Sequence, residues 1–189
     1  MTAQPTLFAR PSVLTFEVGD LTDVNPLLSA RHYLGPVGGN VRLVIVGFLG
    51  ADVVAAQVWK APTARFLPSD GSWLELSRWC LTPEAGKNAG SRMHGWAIRE
   101  IRRRLPDVTT LVSYSDRLQG HTGSLYKACN WQWKPTWHRL FPPPSGGGSW
   151  DGVTRQEPKD RWVFEVRADA PRAAILSVKD GRWKGASPA

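Results

Sequence analysis

Two adjacent apolar runs constrain the fold of this chain most strongly. VRLVIVGFLG (41–50) and ADVVAAQVWK (51–60) are rich in β-branched side chains, and a Gly-Ala-Asp junction joins them. This pairing predicts a β-hairpin, because small and polar residues at the junction suit a tight turn. WLELSRWCL (73–81) alternates in hydrophobicity and stops at Thr82-Pro83, so it predicts a third strand.

A long amphipathic helix is predicted after the three strands. In SRMHGWAIREIRRRL (91–105), apolar residues recur at four-residue steps, at Met93, Ala97, Ile101 and Leu105. That spacing predicts a helix with one buried face. The arginine run at 102–104 falls in the last turn, where it suits the negative end of the helix dipole, and contact with DNA is the other interpretation.

The remainder of the chain predicts one domain with a tail. The patterns predict a strand in VTTLVSYS (108–115), a helix in HTGSLYKACNW (121–131) and a last strand in RWVFEVR (161–167). The proline- and glycine-rich segment 142–152 predicts a loop. With 189 residues, of which 42% are hydrophobic, the chain can bury one substantial core. We therefore expect a single domain over 1–167 and a basic tail over 168–189, parts of which we expect to be disordered.

The charge of the chain indicates an anionic partner. The formal net charge is +8 at pH 7 and the isoelectric point is about 10.0. From Lys127 onward the chain has eleven Lys and Arg residues against six Asp and Glu residues, and six of the ten tryptophans lie in this segment. Aromatic faces among cations suit stacking on nucleic-acid bases, although most indoles must pack in the core. A basic solvated surface is the alternative.

The cysteines and the hydropathy pattern indicate a soluble protein of the cytoplasm. Cys80 and Cys129 are the only cysteines, and neither belongs to a CxxC pair. Each stands in an apolar and aromatic context, which predicts a buried free thiol rather than a disulfide or a metal ligand. No stretch reaches about 18 consecutive apolar residues, and MTAQPTLFARPS (1–12) lacks the apolar core of a signal peptide.

The predicted order is hairpin, strand, glycine-containing loop, helix, strand, helix, strand. This order resembles the acetyl-CoA-dependent N-acetyltransferase fold called GNAT, an α/β domain whose central mixed sheet is mostly antiparallel and flanked by helices. In that family, backbone amides of a Gln/Arg-x-x-Gly-x-Gly/Ala loop bind the cofactor pyrophosphate. The matching residues here are Lys87, Asn88, Ala89, Gly90, Ser91 and Arg92, with Arg92 in place of the final small residue. The resemblance implies acetyl-CoA or a related donor, and an ordinary helix-entry loop is the alternative.

Four segments resemble the Mom family of bacteriophage DNA-modification enzymes, which are GNAT relatives. LVSYSDRLQGHTGSLYKACNW (111–131) joins a strand end, a Ser-Asp turn, a Gly-His-x-Gly helix entry and a closing Asn-Trp. LSARHYLG (28–35), LSRWCL (76–81) and a late Arg-Trp-Val-Phe strand match in the same order, and the resemblance covers about residues 25–167. It implies conversion of adenine N6 in duplex DNA to N6-(carbamoylmethyl)adenine, which protects phage DNA from restriction.

The same resemblance implies a set of functional residues. They are His32, Tyr33, Arg78, Asp116 and Tyr126, together with Ser91 of the loop. Ser91 and neighbouring amides would hold the pyrophosphate, and His32, Tyr33 and Asp116 would face the base. Tyr126 would lie near the thioester sulfur as a general acid. From the residues alone, Asp116 could equally cap a helix that starts near His121, and Tyr126 could be a core residue.

The implied product requires more than ordinary acetyl transfer. Its nitrogen is joined through a methylene that carries a terminal amide, whereas attack on a thioester joins nitrogen to the carbonyl carbon. Adenine N6 is also a weak nucleophile, so it needs deprotonation or an unusual donor. One hypothesis is a bound iron with His32 and Asp116 as ligands. An N-acetyltransferase for another amine and a non-catalytic GNAT-like nucleic-acid-binding module are the alternative functions.

Reaching N6 requires a flipped adenine, because the amine is paired inside the duplex. We expect double-stranded DNA to bind the basic, tryptophan-rich half, with a wedge or stacking residue among its tryptophans. The expected contacts are Lys127, Trp131, Trp133, Lys134, Trp137, His138, Arg139 and Arg155. GNAT-like proteins are often dimers, so a homodimer is a further expectation, although the sequence identifies no interface.

Overall fold

A seven-stranded sheet organises the part of the chain that the structure describes. The computed structural model describes residues 13–64, 67–134 and 159–167. Its strands are β1 (Leu14–Gly19), β2 (Val41–Leu49), β3 (Asp52–Lys60), β4 (Trp73–Leu81), β5 (Thr110–Ser115), β6 (Gln132–Lys134) and β7 (Asp160–Glu165). They lie in the order β1-β2-β3-β4-β5-β7-β6, and every neighbouring pair is antiparallel except β4 and β5. This sheet confirms the predicted fold class.

Helices cover both faces of the sheet. α1 (Leu21–Arg31) follows β1, α2 (Ala89–Arg104) joins β4 to β5, and α3 (Ser124–Ala128) precedes β6. α1 begins after Asp20, whose amide donates to the Asp23 carboxylate at 2.7 Å. Within the described ranges, every helix is too short or too polar to span a bilayer.

The two faces of the sheet bury different kinds of side chain. Under α1 the core is aliphatic, and Val24 and Leu28 are fully buried there. Under α2 and α3 the core is aromatic and includes Trp59, Trp131 and Trp162. Cys80 and Cys129 are both buried and free, which confirms the prediction for the two thiols. Tyr126 of α3, a residue of the candidate site described below, packs against the second of these cores.

Most of the predicted elements are confirmed. The hairpin is β2 and β3, and the later predictions correspond to β4, α2, β5 and β7. The helix predicted over 121–131 is wrong at its start, because Gly120 and Gly123 adopt left-handed φ values of +73° and +72°. The patterns above do not predict β1, α1 or β6. The loop 142–152 and the tail 168–189 lie outside the described residues.

The arginine run at the end of α2 makes contacts within the fold. Arg102 donates from Nε and Nη2 to the Val166 carbonyl at 3.1 and 2.8 Å. Arg103 and Arg104 both form ion pairs with Glu100 on the same helix. These contacts tie the end of α2 to the end of β7, so the run has a structural role that needs no DNA partner.

β4 and β5 separate part-way along their length, and we call the opening between them the fork. Their pairing stops at Leu76 opposite Ser113, whereas β4 continues to Leu81. At the point of separation, Ser113 Oγ donates to the Leu76 carbonyl at 2.8 Å. Tyr126 of α3 reaches the same point, with its hydroxyl 2.9 Å from Ser113 Oγ. The fork therefore brings together the segments that follow β4 and β5.

Candidate functional site

Segment 86–92, which follows β4, presents backbone amides beside the fork, and we call it the amide wall. Gly86 and Asn88 take left-handed φ values of +80° and +61°, which turn the chain into α2. The first helical hydrogen bond runs from the Arg92 amide to the Asn88 carbonyl at 3.0 Å. The amides of Gly90 and Ser91 precede that bond. They therefore face the open end of the helix, where the dipole favours an anion.

Gly90 has a packing role that sequence reasoning missed. A Cβ at this position would lie 2.5 Å from Leu125 Cδ1 and 3.0 Å from Leu81 Cδ1. The sequence suggested that glycine allows a phosphate to approach closely. The structure shows instead that its missing side chain allows α3 to pack against the start of α2.

The other residues of the amide wall contribute unequally. Ala89 is 2% exposed and offers only its backbone, while Lys87 and Asn88 are exposed. Ser91 Oγ donates to the Asn88 carbonyl at 3.0 Å. Arg92 lies on the β1 side of the helix, where Nη2 donates to the Leu14 carbonyl at 3.3 Å. The predicted cofactor contacts are therefore grouped as expected, but the Arg92 side chain contacts β1.

The other side of the fork carries side chains from two distant segments, and we call it the side-chain wall. Loop 32–35 follows α1, and segment 116–121 follows β5. Tyr33 joins the two segments, because its ring stacks on His32 at 5.0 Å and meets His121 edge-on at 5.4 Å. Tyr33 is 38% exposed, so the wall presents aromatic surface to solvent.

His32 is a neutral hydrogen-bonding group in this setting. Burial and the charges of Arg78 and His121 lower its pKa to about 4. Nδ1 accepts a hydrogen bond from the Leu34 amide at 3.2 Å. In the neutral ring the proton is then on Nε2, so His32 offers a donor at neutral pH.

Arg78 fastens loop 32–35 to the sheet. From β4, its Nε donates to the Gly35 carbonyl at 3.0 Å and its Nη2 to the Leu34 carbonyl at 3.3 Å. Its Nη1 donates to the Ser77 carbonyl at 2.8 Å. The resemblance includes Arg78 in the functional set, and these contacts give it a positioning role for His32 and Tyr33.

Asp116 ends β5 and makes two kinds of contact. Oδ1 accepts from the Leu118 amide at 3.0 Å, so Asp116 caps the one-turn 3₁₀ helix Arg117–Gln119 rather than a helix near His121. Oδ2 lies 3.6 Å from Lys159 Nζ. Lys159 Nζ also lies 5.9 Å from the centre of the Tyr33 ring, so Asp116 and Tyr33 share this cation as a neighbour. Burial and then the Asp116 charge raise the pKa of Tyr33.

Lys159 is a member of the side-chain wall that sequence reasoning missed. Besides its ion pair with Asp116, its Nζ lies 5.9 Å from the centre of the Tyr33 ring. No sequence pattern marks Lys159, because it follows the long proline- and glycine-rich segment. It reaches Asp116 through strand pairing, since β7 runs antiparallel to β5 with Asp160 opposite Ser115.

Tyr126 occupies the point where the fork opens. Because the Ser113 hydroxyl donates to Leu76, Tyr126 is the donor in the 2.9 Å contact with Ser113 Oγ. Its ring stacks on Trp162 at 5.3 Å and meets Trp79 edge-on at 5.7 Å. Burial raises the pKa of Tyr126 to about 12, so the hydroxyl keeps its proton at neutral pH. The residue is both a packing residue and a member of the site.

α3 links the two walls, and its position depends on Gly123. A Cβ at Gly123 would lie 2.1 Å from the Trp162 ring, so only glycine lets α3 lie this close to β7. In this position Leu125 packs on Gly90 of the amide wall. The next residue, Tyr126, reaches Ser113 of β5 and stacks on Trp162 of β7.

The residues predicted to contact DNA lie in different surroundings. Trp131 is 4% exposed and donates from Nε1 to His94 Nε2 at 3.1 Å inside the core, so it cannot stack on a base in this arrangement. Trp133 is 50% exposed, Lys127 is exposed and Lys134 is half-buried. The predicted contacts that lie outside the described residues are Trp137, His138, Arg139 and Arg155.

The donor set around His32 and Asp116 does not fit a bound iron. In the part of the chain that the structure describes, no three His, Cys, Asp or Glu side chains gather closely enough to hold a metal ion. His32 Nδ1 faces the Leu34 amide, and the Asp116 oxygens face the Leu118 amide and Lys159. We derive no step through a metal.

Two sequence comparisons find relatives of this chain. The model of the Mom protein family matches residues 25–146, more than half of the chain. Methylcarbamoylase Mom of Escherichia phage Mu is 27% identical over 111 residues, which cover 55% of this chain and 46% of that protein. The chain thus spans about half the length of this curated relative. The family match includes every residue of the two walls except Lys159.

Three solved structures share the fold. A Salmonella typhimurium protein solved with its cofactor acetyl-CoA has a TM-score of 0.58 at 13% identity, covering 85% of this chain and 98% of its own. A GNAT acetyltransferase from Elizabethkingia anophelis with acetyl-CoA bound has a TM-score of 0.55 at 11% identity, and the match covers 80% of this chain and 97% of that protein. The Escherichia coli ribosomal-protein-S18-alanine N-acetyltransferase has a TM-score of 0.52 at 13% identity, and the match covers 80% of this chain and 91% of that protein. These likenesses show that the fold is GNAT.

Proposed function

The chain belongs to the Mom protein family, and on that premise we propose that it is a GNAT-fold transferase that modifies adenine N6 in double-stranded DNA. The proposed product is N6-(carbamoylmethyl)adenine, and the proposed donor of its two-carbon unit is acetyl-CoA or a related CoA thioester. The balance requires two co-reactants: a two-electron oxidant that accepts the electrons lost when the methyl carbon bonds to N6, and ammonia or an amide-nitrogen donor that displaces CoA thiol to form the terminal amide. The observation that carries the proposal is the meeting of His32, Tyr33 and Asp116 beside a fork that also presents helix amides. A modified adenine would protect the DNA from restriction nucleases.

The amide wall supports a CoA-type cofactor. The amides of Gly90 and Ser91 face the open end of α2, and Lys87 supplies a cation at its exposed start. This combination of donors, dipole and charge suits a pyrophosphate. When bound, the cofactor would supply an activated acetyl unit. Tyr126, which keeps its proton at the fork, is the general acid that we propose there.

The side-chain wall supports recognition and deprotonation of an adenine. The N6 amine donates hydrogen bonds and must lose a proton when a bond to carbon forms, and we assign the Asp116 carboxylate as the acceptor of that proton. His32 Nε2 carries a proton, so it can donate to a ring nitrogen of the same base. A carboxylate next to an imidazole donor therefore complements the edge of adenine that carries N6. Tyr33 offers an aromatic face beside both groups.

The charge of the chain supports DNA as the substrate. A net charge of +8 favours a polyanion, and binding through phosphates weakens steeply with salt. Flipping an adenine costs a few kcal/mol, which phosphate contacts and stacking can offset. Lys127, Trp133 and Lys134 are the described residues of the basic half that we propose for these contacts.

Mass spectrometry of nucleosides tests the proposal. Plasmid DNA from cells that express the wild-type chain should contain a deoxyadenosine heavier by one carbamoylmethyl group. The matched control is Asp116→Asn, since asparagine can still accept the Leu118 amide hydrogen bond but cannot act as a carboxylate base. DNA from cells with a folded Asp116→Asn protein should lack the new nucleoside.

Other outcomes would select between the alternative functions. An adenine that gains only an acetyl group would identify an N-acetyltransferase and would reject the carbamoylmethyl product. Unmodified DNA from cells with abundant, folded wild-type protein would reject DNA modification. In that case, CoA-dependent thermal stabilisation would indicate a transferase for another amine, and its absence would indicate a non-catalytic binding module.

A further inference from the structure

An open cavity of about 540 Å³ lies next to the side-chain wall. It is enclosed by the turn after β5, by α3 and by the edge formed by β6 and β7. Its lining includes Arg117, His121, Lys127, Trp133, Asp160 and Trp162. Sequence reasoning assigned a binding role to Lys127 and Trp133 but to none of the other four residues.

A hydrogen bond to Asp160 fixes the orientation of the exposed Trp133 ring, which lines this cavity. Half of its surface is exposed, yet its Nε1 donates to Asp160 Oδ1 at 2.8 Å. Asp160 is itself fixed by Arg117, which donates from Nη2 at 2.6 Å and from Nε at 2.8 Å. An exposed indole held in one orientation has little conformational entropy left to lose when a flat ring stacks on it.

The polar groups of the cavity suit a phosphate more than a neutral ligand. Arg117 and Lys127 are both exposed cations on its lining, whereas Asp160 is the acid that Arg117 and Trp133 already contact. Cations beside an aromatic face are the combination that nucleotide-binding sites use, because the base stacks and the phosphate pairs with charge. A cavity of this volume can hold one nucleotide.

The cavity leads directly to the side-chain wall. His121 lines the cavity and also meets the Tyr33 ring edge-on at 5.4 Å. Arg117 follows Asp116 in the chain, and Asp160 follows Lys159. The Arg117–Asp160 and Asp116–Lys159 ion pairs therefore join the same two segments. His121 therefore lies between the cavity and the Tyr33 ring.

We propose that this cavity receives the flipped-out adenine nucleotide of the DNA substrate. The base stacks on Trp133, and a phosphate flanking it pairs with Lys127, while Arg117 holds Asp160. Asp160 is a positioning residue that holds the indole through its N–H. This inference rests on the proposed function for the choice of DNA, since the adenine nucleotide of CoA has the same chemistry and is the other source that must be tested.

Affinity for a short single strand tests the proposal without requiring any reaction. The probe is a fluorescent oligothymidylate with one central adenine, which needs no base flipping. Its affinity for the full chain is measured by anisotropy with and without saturating CoA. Trp133→Ala should weaken binding by about 5- to 100-fold, the range that one base stacked on an aromatic side chain provides. Val13→Ala, which changes an exposed apolar residue before β1 at the opposite edge of the sheet, should leave the affinity unchanged.

Two further variants test the role of Asp160. Trp133→Phe retains an aromatic face but lacks the N–H, so its affinity should fall between wild type and Trp133→Ala. Asp160→Ala removes the acceptor of the Trp133 N–H, so it should weaken the oligonucleotide affinity while leaving the CoA affinity and the melting temperature unchanged, since an exposed ion pair with Arg117 contributes little stability. A general structural role would instead lower the affinity for both ligands together with the melting temperature, and would reject the positioning role.

The outcomes separate this inference from the proposed function. An unchanged oligonucleotide affinity in Trp133→Ala would overturn the inference, whatever the reaction. If CoA displaces the oligonucleotide and Trp133→Ala weakens CoA binding instead, the cavity belongs to the cofactor and the inference is also overturned. If the DNA remains unmodified in cells but binding still depends on Trp133 and resists CoA, the nucleotide site stands and the proposed reaction fails.

Discussion

The two walls of the fork are built by different means. The amide wall (86–92) presents main-chain donors, which any sequence with the right turn and helix start can present. The side-chain wall depends on the identities of His32, Tyr33 and Asp116, and on Arg78 and Lys159, which hold them in place. A fold shared at 11–13% identity can retain the first wall and lose the second. The proposed cofactor therefore depends on the amide wall, whereas the proposed substrate depends on the side-chain wall.

Replacing His32 should separate the two walls most clearly. His32→Phe keeps a ring to stack on Tyr33 but removes the Nε2 donor. Loss of one donor aimed at the reacting group typically costs about 10²–10³ in rate. We expect kcat on a defined duplex to fall by that factor while the affinity for acetyl-CoA, measured by calorimetry, stays the same. A comparable loss of acetyl-CoA affinity would mean that the walls are not independent.

Gly123→Ala should disrupt both walls at once, because α3 contacts each of them. The new Cβ would lie 2.1 Å from the Trp162 ring, at a backbone φ of +72°. Overpacking and left-handed strain together should lower the free energy of unfolding by about 2–4 kcal/mol. Gly120→Ala is the matched control, since it has the same backbone strain at φ +73° but no neighbouring atom within 4 Å. Chemical denaturation should show a much larger loss for Gly123→Ala, and equal losses would remove the role assigned to Trp162.

Sequence patterns identified the elements of the fold with strong periodicity and missed those without it. The β2–β3 hairpin and α2 follow directly from residue spacing. α1 buries only Val24 and Leu28 and contains Pro26, so its sequence lacks a clear helical stripe. β6 has three residues, which is too short for alternation to show. Propensity alone could not reveal these elements, because tertiary packing stabilises them.

The same limit applies to the candidate site. The resemblance supplied His32, Tyr33 and Asp116 because they lie in short matching motifs, and the structure brings these three together. Lys159 could not be found, because its contact with Asp116 depends on the pairing of β5 with β7. The sequence also could not distinguish Trp131 from Trp133, since burial of one and exposure of the other depend on the packing of β6.

His94 of α2, which lies in the core beyond the amide wall, has a lowered pKa and should control the stability at low pH. Burial lowers the pKa of His94 from 6.5 to about 4. Below pH 6.5 the unfolded chain binds a proton that the folded chain does not, so stability is lost as the pH falls towards 4. The loss attributable to His94 should reach about 2 kcal/mol at pH 5.

His94→Gln tests this assignment, since glutamine stays neutral and can still accept the Trp131 N–H. Urea denaturation should show that this variant loses about 2 kcal/mol less unfolding free energy than the wild type between pH 7 and pH 5. The control is Gln132→Asn on the exposed part of β6, which changes no titratable group and should leave the slope of the wild-type profile. An unchanged slope in His94→Gln would mean that another group causes the loss.

Arg78→Lys should affect the side-chain wall and not the amide wall, and its effect on turnover of DNA should be smaller than that of His32→Phe. Lysine keeps the charge but cannot donate to the Leu34, Gly35 and Ser77 carbonyls at once. The loosened loop should reduce kcat/KM for DNA by roughly 10-fold, as expected for the loss of one or two hydrogen bonds. Arg99→Lys on the exposed face of α2 is the control and should retain wild-type values. Weaker acetyl-CoA binding in Arg78→Lys would contradict the positioning role.

Ser91→Ala should have the smallest effect, because the amide wall does not depend on its side chains. The variant loses a hydroxyl that donates to the Asn88 carbonyl but keeps the Ser91 amide. The CoA affinity should fall by less than about 5-fold, the value of one exposed neutral hydrogen bond. Gly86→Ala leaves every side chain of α2 intact but strains the turn at φ +80°, so it should weaken CoA binding more than Ser91→Ala does. Calorimetry with CoA measures both affinities. A larger loss of CoA affinity in Ser91→Ala than in Gly86→Ala would show that the hydroxyl, and not the main chain, holds the pyrophosphate. Both walls would then depend on side chains.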